Sequence, residues 1–203
     1  MTALPVLPRH RAIIAVDVEG STHRTNVGRA QLRDAMYDLL ERSLEMAGIS
    51  EQYRDLYDRG DGVLVLVRPV DDLPKTTLLT TVVPTLSDLL CQLEFERPQD
   101  SFRMRAAIHS GEVHYDKRGV YGEDVDITCR LLDAPEVKGK LRATTAPMVL
   151  VVSEQIYMSV IRHDYDGIDR TTYHRLTQVR LGDGWHQGWV HVPAVTTHHQ
   201  LAG

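Results

Sequence analysis

Two aspartates stand at the ends of strand-like apolar runs. Asp17 closes Ile13-Ile14-Ala15-Val16 and leads into Val18-Glu19-Gly20-Ser21-Thr22, and Asp61 lies within Arg59-Gly60-Asp61-Gly62, just ahead of Val63-Leu64-Val65. A buried strand that exits into a glycine-containing turn can aim backbone N–H groups at an anion. Mg²⁺ prefers carboxylate oxygens combined with substrate phosphates to a cage made only of protein. The two aspartates, if the fold brings them together, therefore suffice for a divalent-metal site whose remaining ligands come from a nucleoside triphosphate. Each has a plainer reading when taken singly. Asp17 is also a normal strand-end turn residue, and Gly60-Asp61-Gly62 is also a normal hairpin turn.

Two further segments change the balance. Arg105-Ala106-Ala107-Ile108-His109-Ser110-Gly111-Glu112-Val113 is followed by Gly122-Glu123-Asp124-Val125-Asp126-Ile127-Thr128-Cys129-Arg130-Leu131. In this order and spacing, the four segments resemble the catalytic domain of class III nucleotidyl cyclases, whose patterns run F-x-D-I-x-G-F-T, G-D-G, R-x-G-I-H-x-G and G-x-x-V-N-x-A-x-R-L. The resemblance covers about residues 11 to 190.

The resemblance implies attack of a ribose 3′-oxygen on the α-phosphorus of the same nucleotide, giving a 3′,5′-cyclic nucleotide and pyrophosphate. Such chemistry needs in-line positioning and charge neutralisation more than a protein nucleophile. It implies two Mg²⁺ or Mn²⁺ ions per site, held by Asp17, Asp61 and the Val18 carbonyl, with phosphate-facing amides from Glu19, Gly20, Ser21 and Thr22. Arg130 falls at the transition-state arginine, and Asp126 stands four residues earlier, where the family has an asparagine that orients the ribose. An offset of four on a helix puts both side chains on one face. A solvated residue, or a partner for a nearby carboxylate, is the plain alternative for Arg130.

Two departures bear on turnover and on the base. Aspartate at 126 accepts a ribose hydroxyl proton but donates none, and its charge repels a triphosphate unless screened by metal or Arg130. Purine cyclases read the base with lysine or glutamate three positions before the Gly-Asp of the hairpin, and this chain has Tyr57 there. The second base-reading position is Gly119, and Tyr121 lies close by in sequence. Tyrosine in place of the purine reader resembles the pyrimidine cyclases of bacterial anti-phage signalling, which pass cyclic UMP or cyclic CMP to a downstream effector. UTP is expected ahead of CTP. The alternatives are a divergent adenylate or guanylate cyclase, an inactive cyclase-homology module that binds nucleotide or a partner, and simple packing of Tyr57 on its neighbouring strand. Arg180 lies in the region of the family's triphosphate-binding cation, and Lys138 and Lys140, which flank Gly139 and read as a charge cluster in a loop, are an alternative basic feature. The family's sites lie between subunits, so a homodimer with two composite sites is the implied assembly.

These residues must be positioned by one domain. At 203 residues, with 42% apolar and 25% charged residues, the chain suits a single soluble domain with a core from about 11 to 192 and short tails. A net charge of -5 argues against broad nucleic-acid binding. No apolar run approaches the ~20 residues a membrane helix needs, and the N-terminus has no signal-peptide core, so a cytoplasmic protein is expected. Cys91 and Cys129 have no C-x-x-C partner and read as small buried residues, and the ten histidines show no H-E-x-x-H spacing. His198 and His199 fall in the C-terminal tail.

The expected elements are a strand over 11–18, a helix over 26–47 ended by Gly48, and a hairpin of 52–58 with 63–67. A proline-kinked helix over 76–93 and a hairpin of 103–109 with 112–115, turning at Ser110-Gly111, come next. They are followed by a helix over 122–132 stopped before Pro135, a strand over 148–152, a helix from Ser153 toward Ile161, and late strands over 173–181 and 188–192. This order predicts an α+β fold: a mostly antiparallel, ferredoxin-like sheet extended by extra strands and covered by helices. Other α+β topologies fit the same pattern.

Overall fold

The computed structural model describes residues 7–194. The first strand, β1 (Arg9–Val18), enters a short 3₁₀ turn and then the helix α1 (Asn26–Met46), whose Thr25 side chain caps the Gly28 amide at 3.2 Å. A hairpin of β2 (Arg54–Asp58) and β3 (Gly62–Val67) follows, then α2 (Val83–Glu96). These, with β4 (Met104–Asp116), line up as β4-β1-β3-β2 with α1 and α2 packed on one face, which is the ferredoxin-like βαββαβ unit. The remaining elements are β5 (Gly119–Tyr121), α3 (Glu123–Asp133), α4 (Pro135–Arg142), β6 (Met148–Ser153), α5 (Glu154–Ser159), β7 (His174–Leu181) and β8 (Gly184–His191). They extend the sheet to β2-β3-β1-β4-β6-β8-β7, with β5 paired to β4; only the β4–β6 pairing is parallel among the described residues.

Strand alternation sends side chains to two cores. Ile14, Val16, Val63, Val65, Ala106 and Ile108 meet α1 and α2, while Ile13, Ala15, Leu64, Leu66, Ala107, Val149 and Val151 meet α3 and α4. β3 and β6 are buried along their whole length. Truncating a fully buried residue such as Leu64 to alanine costs about 2–5 kcal/mol. The sheet is therefore a rigid plate, and the ends of its strands are fixed positions.

Three sequence expectations need correction. Ser110-Gly111 makes no turn: β4 runs straight through it, and Gly111 is needed because a Cβ there would lie 2.0 Å from the Asp124 carboxyl carbon. The hairpin instead turns between Asp116 and Gly119. Pro135 ends one helix and begins another, since proline is well placed at a first helical position, so Lys138 and Lys140 lie on α4 and not in a loop. Cys91 and Cys129, expected to be buried, lie on α2 and α3 and are only half-buried. Pro84 lies in the first turn of α2, which follows directly on a π-helical turn over Leu78–Val82. His198 and His199 lie outside the described residues.

Candidate active site

Asp17 is the penultimate residue of β1 and pairs in register with Gly62 on one side and Arg105 on the other. Gly62 has no alternative there, because a Cβ would meet the Val16 carbonyl oxygen at 2.3 Å. This close approach seats the β2–β3 turn against the end of β1, and the Val18 amide donates to the Asp61 carbonyl at 3.1 Å. The turn itself is held from both ends. Asp58 accepts from the Gly60 amide at 2.6 Å, and Arg33 of α1 reaches both the Asp58 carboxylate and the Gly60 carbonyl. The two aspartates that the sequence singles out are thereby brought into one cleft of about 200 Å³, which Arg59, Cys129, Leu132 and Asp133 also line.

The two carboxylates are held differently. Arg105 binds Asp17 bidentately, Nε to Oδ1 at 2.8 Å and Nη2 to Oδ2 at 2.6 Å, with both side chains largely buried. Burial pushes the Asp17 carboxyl above its usual range; Arg105 pulls against this and the neighbouring charge of Asp61 adds to it. Asp61 is exposed, and Ser21 Oγ donates to its Oδ2 at 2.6 Å. Lys138 of α4 stands close enough to act on Asp17 electrostatically while pairing with Asp133. Among the described residues no group of three or more His, Cys, Asp or Glu side chains gathers to hold a metal. A pair of hard carboxylate oxygens facing one cleft still fits Mg²⁺ or Mn²⁺, because such ions keep few protein ligands and complete their shell with phosphate and water.

The loop after β1 is only partly as expected. Gly20 adopts a left-handed φ of 71° and opens the 3₁₀ turn. The Glu19 amide donates to the Arg103 carbonyl at 2.9 Å, and its carboxylate takes Arg103 Nη2 at 2.6 Å, so Glu19 is committed and the loop's donors are Gly20, Ser21 and Thr22. Ser21, Thr22, Arg29, Arg33, Gly60 and Asp61 line a second cleft of about 390 Å³, and Arg29 holds the loop by the Ser21 and Thr22 carbonyls. Asp61 thus stands between an aspartate cleft and a cleft walled by arginines.

Other expected residues lie apart from this pair. Asp126 and Arg130 are exposed on α3, form no ion pair among the described residues and do not line the Asp17 cleft, although their neighbours Cys129, Leu132 and Asp133 do. Arg180 lies near the tip of the β7–β8 hairpin, donating to the Gly182 carbonyl at 3.2 Å. β7 is the far edge of the sheet, roughly 19 Å from β1 at ~4.8 Å per strand. Tyr57 is half-buried against the second core, near Tyr115 and Arg11, and burial raises its phenol above the usual value. Gly119 closes the β4–β5 turn, its amide bonded to Asp116 Oδ1 at 3.0 Å, and a Cβ there would meet nothing within 4 Å. Val120 packs with Tyr57 in the second core, but Tyr121 alternates to the other face and stacks on His114 at 5.2 Å. A single chain therefore does not gather Tyr57 and Tyr121 about one space.

Sequence reasoning assigned no role to Arg105, Arg29 or Arg33 beside the aspartates, and it named Lys138 only as an alternative cation for the triphosphate. Arg105 was within reach, since pairing β1 with β4 antiparallel puts it opposite Asp17. The others depend on helix packing that no local pattern gives. A separate apolar pocket of about 170 Å³, lined by Ile49, Val67, Leu73 and Leu78 among others, contains neither aspartate.

No family model matches the chain, and no curated protein matches it. Solved structures do. The guanylyl cyclase Cya2 superposes with a TM-score of 0.64 at 17% identity, covering 98% of this chain and 99% of that one. The adenylate/guanylate cyclase/hydrolase from Silicibacter pomeroyi gives 0.63 at 17% identity over 92% and 98%. The adenylyl cyclase CyaB from P. aeruginosa gives 0.61 at 13% identity over 97% and 100%. The chain has the fold of class III nucleotidyl cyclase catalytic domains.

Proposed function

We propose that this chain is a metal-dependent nucleotide cyclase that converts a pyrimidine nucleoside triphosphate, UTP ahead of CTP, to its 3′,5′-cyclic nucleotide and pyrophosphate. The observation that carries the reading is the convergence of Asp17 and Asp61 on one cleft beside a glycine-led loop. Two Mg²⁺ or Mn²⁺ ions held by Asp17, Asp61 and the Val18 carbonyl would neutralise the triphosphate and acidify the ribose 3′-hydroxyl. The chain's own part is to orient. Gly20, Ser21 and Thr22 present amides to phosphate oxygens, with Arg29 and Arg33 adding positive charge across the second cleft. Arg105 aligns Asp17 in the free protein and favours its ionised form against the burial that raises its pKa.

Asp126 and Arg130 complete the site from a second copy of the chain, Asp126 accepting from the ribose and Arg130 facing the charge that develops at the α-phosphate. Their exposure without partners supports this assignment, as does the distance of Arg180 from the protomer's own aspartates. Tyr57 contacts the base, and a cytoplasmic homodimer supplying a second messenger to a cyclic-nucleotide effector in anti-phage defence is the biological setting. Among the described residues no helix is long and apolar enough to cross a membrane.

The bidentate Asp17–Arg105 pair favours a second reading, a module that binds nucleotide or a partner without turnover, because a metal must share or displace that arginine. Incubating purified protein with each of the four nucleoside triphosphates and Mn²⁺, then separating the products, tests all of these. Cyclic UMP or cyclic CMP is expected. A purine cyclic nucleotide alone would refute the pyrimidine assignment, and no cyclic product from any triphosphate would favour the inactive module.

A further inference from the structure

α3 begins without a side-chain cap. Gly122 precedes it, and its first turn carries Glu123, Asp124 and Asp126. Any of the three carboxylates would suit the positive end of the helix. Asp124 is used differently, with both oxygens turned away from its own helix. Oδ2 accepts from the Glu112 amide at 2.6 Å, and Oδ1 lies 2.8 Å from His109 Nε2. The carboxyl group lies so close against β4 that only glycine fits at 111.

His109 is buried and its other ring nitrogen is also bonded, with Nδ1 2.7 Å from Ser153 Oγ. Ser153 is the last residue of β6 and caps α5 by accepting from the Ile156 amide. One neutral tautomer satisfies every group: the Ser153 hydroxyl donates to Nδ1, and Nε2–H donates to Asp124. Three chain segments are thus joined through one imidazole. The order serine, histidine, aspartate does not make a nucleophile here, because Ser153 is buried and its oxygen already serves the α5 cap.

We propose that Asp124, locked to His109 and through it to Ser153, is a positioning residue that fixes the start of α3 on β4 and so sets where Asp126 and Arg130 stand. The inference rests on the cyclase reading for the roles of those two residues. Asp124 itself lines a different cleft, of about 550 Å³, shared with His109, Ser153 and His186, which contains neither Asp17 nor Asp61. A freestanding helix end at this place would leave Arg130 free to drift, and a misplacement of ~1 Å in a positioning group costs on the order of 10²-fold in rate.

The conservative variant separates this role from plain stability. Asp124→Asn has one acceptor where the carboxylate has two. It keeps the Glu112 amide and turns its NH₂ toward His109 Nε2, which works when His109 is neutral with its proton on Nδ1, donated to Ser153. A protonated His109 would then set N–H against N–H. The charged and titratable groups facing His109 are Asp124 from α3, His186 from β8 and His10 from β1, with Glu123 and Glu154 along the same cleft. Burial already favours the neutral ring.

The test compares full-length wild type, Asp124→Ala and Asp124→Asn by hydrogen–deuterium exchange of residues 123–133 and by steady-state kinetics against pH. With Asp124→Ala, exchange in α3 should accelerate about ten-fold while α1 keeps its rate, and kcat should fall about 30-fold with KM changed less than about three-fold. Asp124→Asn should restore both above neutral pH but lose activity on acidification at a higher pH than wild type. Wild-type exchange in α3 of both variants would overturn the proposal, as would faster exchange with kcat unchanged, or equal losses in both variants with no movement of the acid limb. A wild type that cyclises no triphosphate retires the cyclase reading by itself, and the exchange measurement alone then decides whether Asp124 anchors α3.

Discussion

The two halves of the candidate site are built in opposite ways. The half at the end of β1 is assembled within a single chain: Gly62 seats the turn, Arg33 braces it, Arg105 clamps Asp17 and Ser21 donates to Asp61. The half on α3 is displayed, with Asp126 and Arg130 exposed and without an ion pair among the described residues, even though the helix beneath them is fixed by a buried network. Groups that must tolerate a buried charge are given partners before any ligand arrives, because an unpaired buried charge is costly. Groups left exposed on a rigid support are free to meet something brought from outside.

The contrast is broken most severely by removing an acid from the first half. Asp61→Asn keeps the shape of the side chain and its bond to Ser21, and it should lower cyclic-nucleotide formation by about 10²–10³-fold in a product assay with Mn²⁺. Arg130→Ala should cost about 10²-fold and leave the thermal midpoint unchanged, since the exposed residue forms no ion pair among the described residues. Mixing and refolding the two variants sharpens the comparison. If each site draws its aspartates and its arginine from different protomers, about a quarter of wild-type activity should return, and no recovery would place both halves in one chain.

Much of the first half was legible in the sequence because it depends on strand ends. A strand fixes the direction of every side chain, so an aspartate that closes an apolar run has a defined place, and Gly60-Asp61-Gly62 marks its own turn. The alternation of elements suited a ferredoxin-like order without excluding other α+β topologies, and the resemblance of the motifs favoured it. What was not legible depends on contacts between distant segments. His109, Asp124 and Ser153 are separated by 15 and 44 residues in their bonded pairs, and nothing local distinguishes Gly111 under a carboxylate from Gly111 in a turn. The same ambiguity hid α4, since Pro135 is compatible with both the end and the beginning of a helix.

Smaller effects test the scaffold. Gly62→Ala must push its methyl against the Val16 carbonyl and should lower stability by about 1–3 kcal/mol in chemical denaturation, with metal-dependent activity falling more than stability alone explains. Acidification should also weaken the fold. Burial holds the folded pKa of His109, and likewise of His191, below the ordinary histidine value of 6.5, so the unfolded chain binds more protons below that pH. Their stabilising contribution is complete above 6.5 and is lost as pH falls from there through the folded values. His109→Gln should make the thermal midpoint less sensitive to pH in that window; an unchanged slope would show that His109 does not titrate there.

The most direct test of the carboxylate pair is anomalous diffraction at the manganese edge from crystals grown with Mn²⁺ and 3′-deoxy-UTP, which binds but cannot cyclise. Manganese is expected between the carboxylates of Asp17 and Asp61, in contact with the triphosphate and with Arg105 drawn off one Asp17 oxygen. Nucleotide bound elsewhere, with Asp17 still clamped by Arg105 and no manganese at either aspartate, would contradict it.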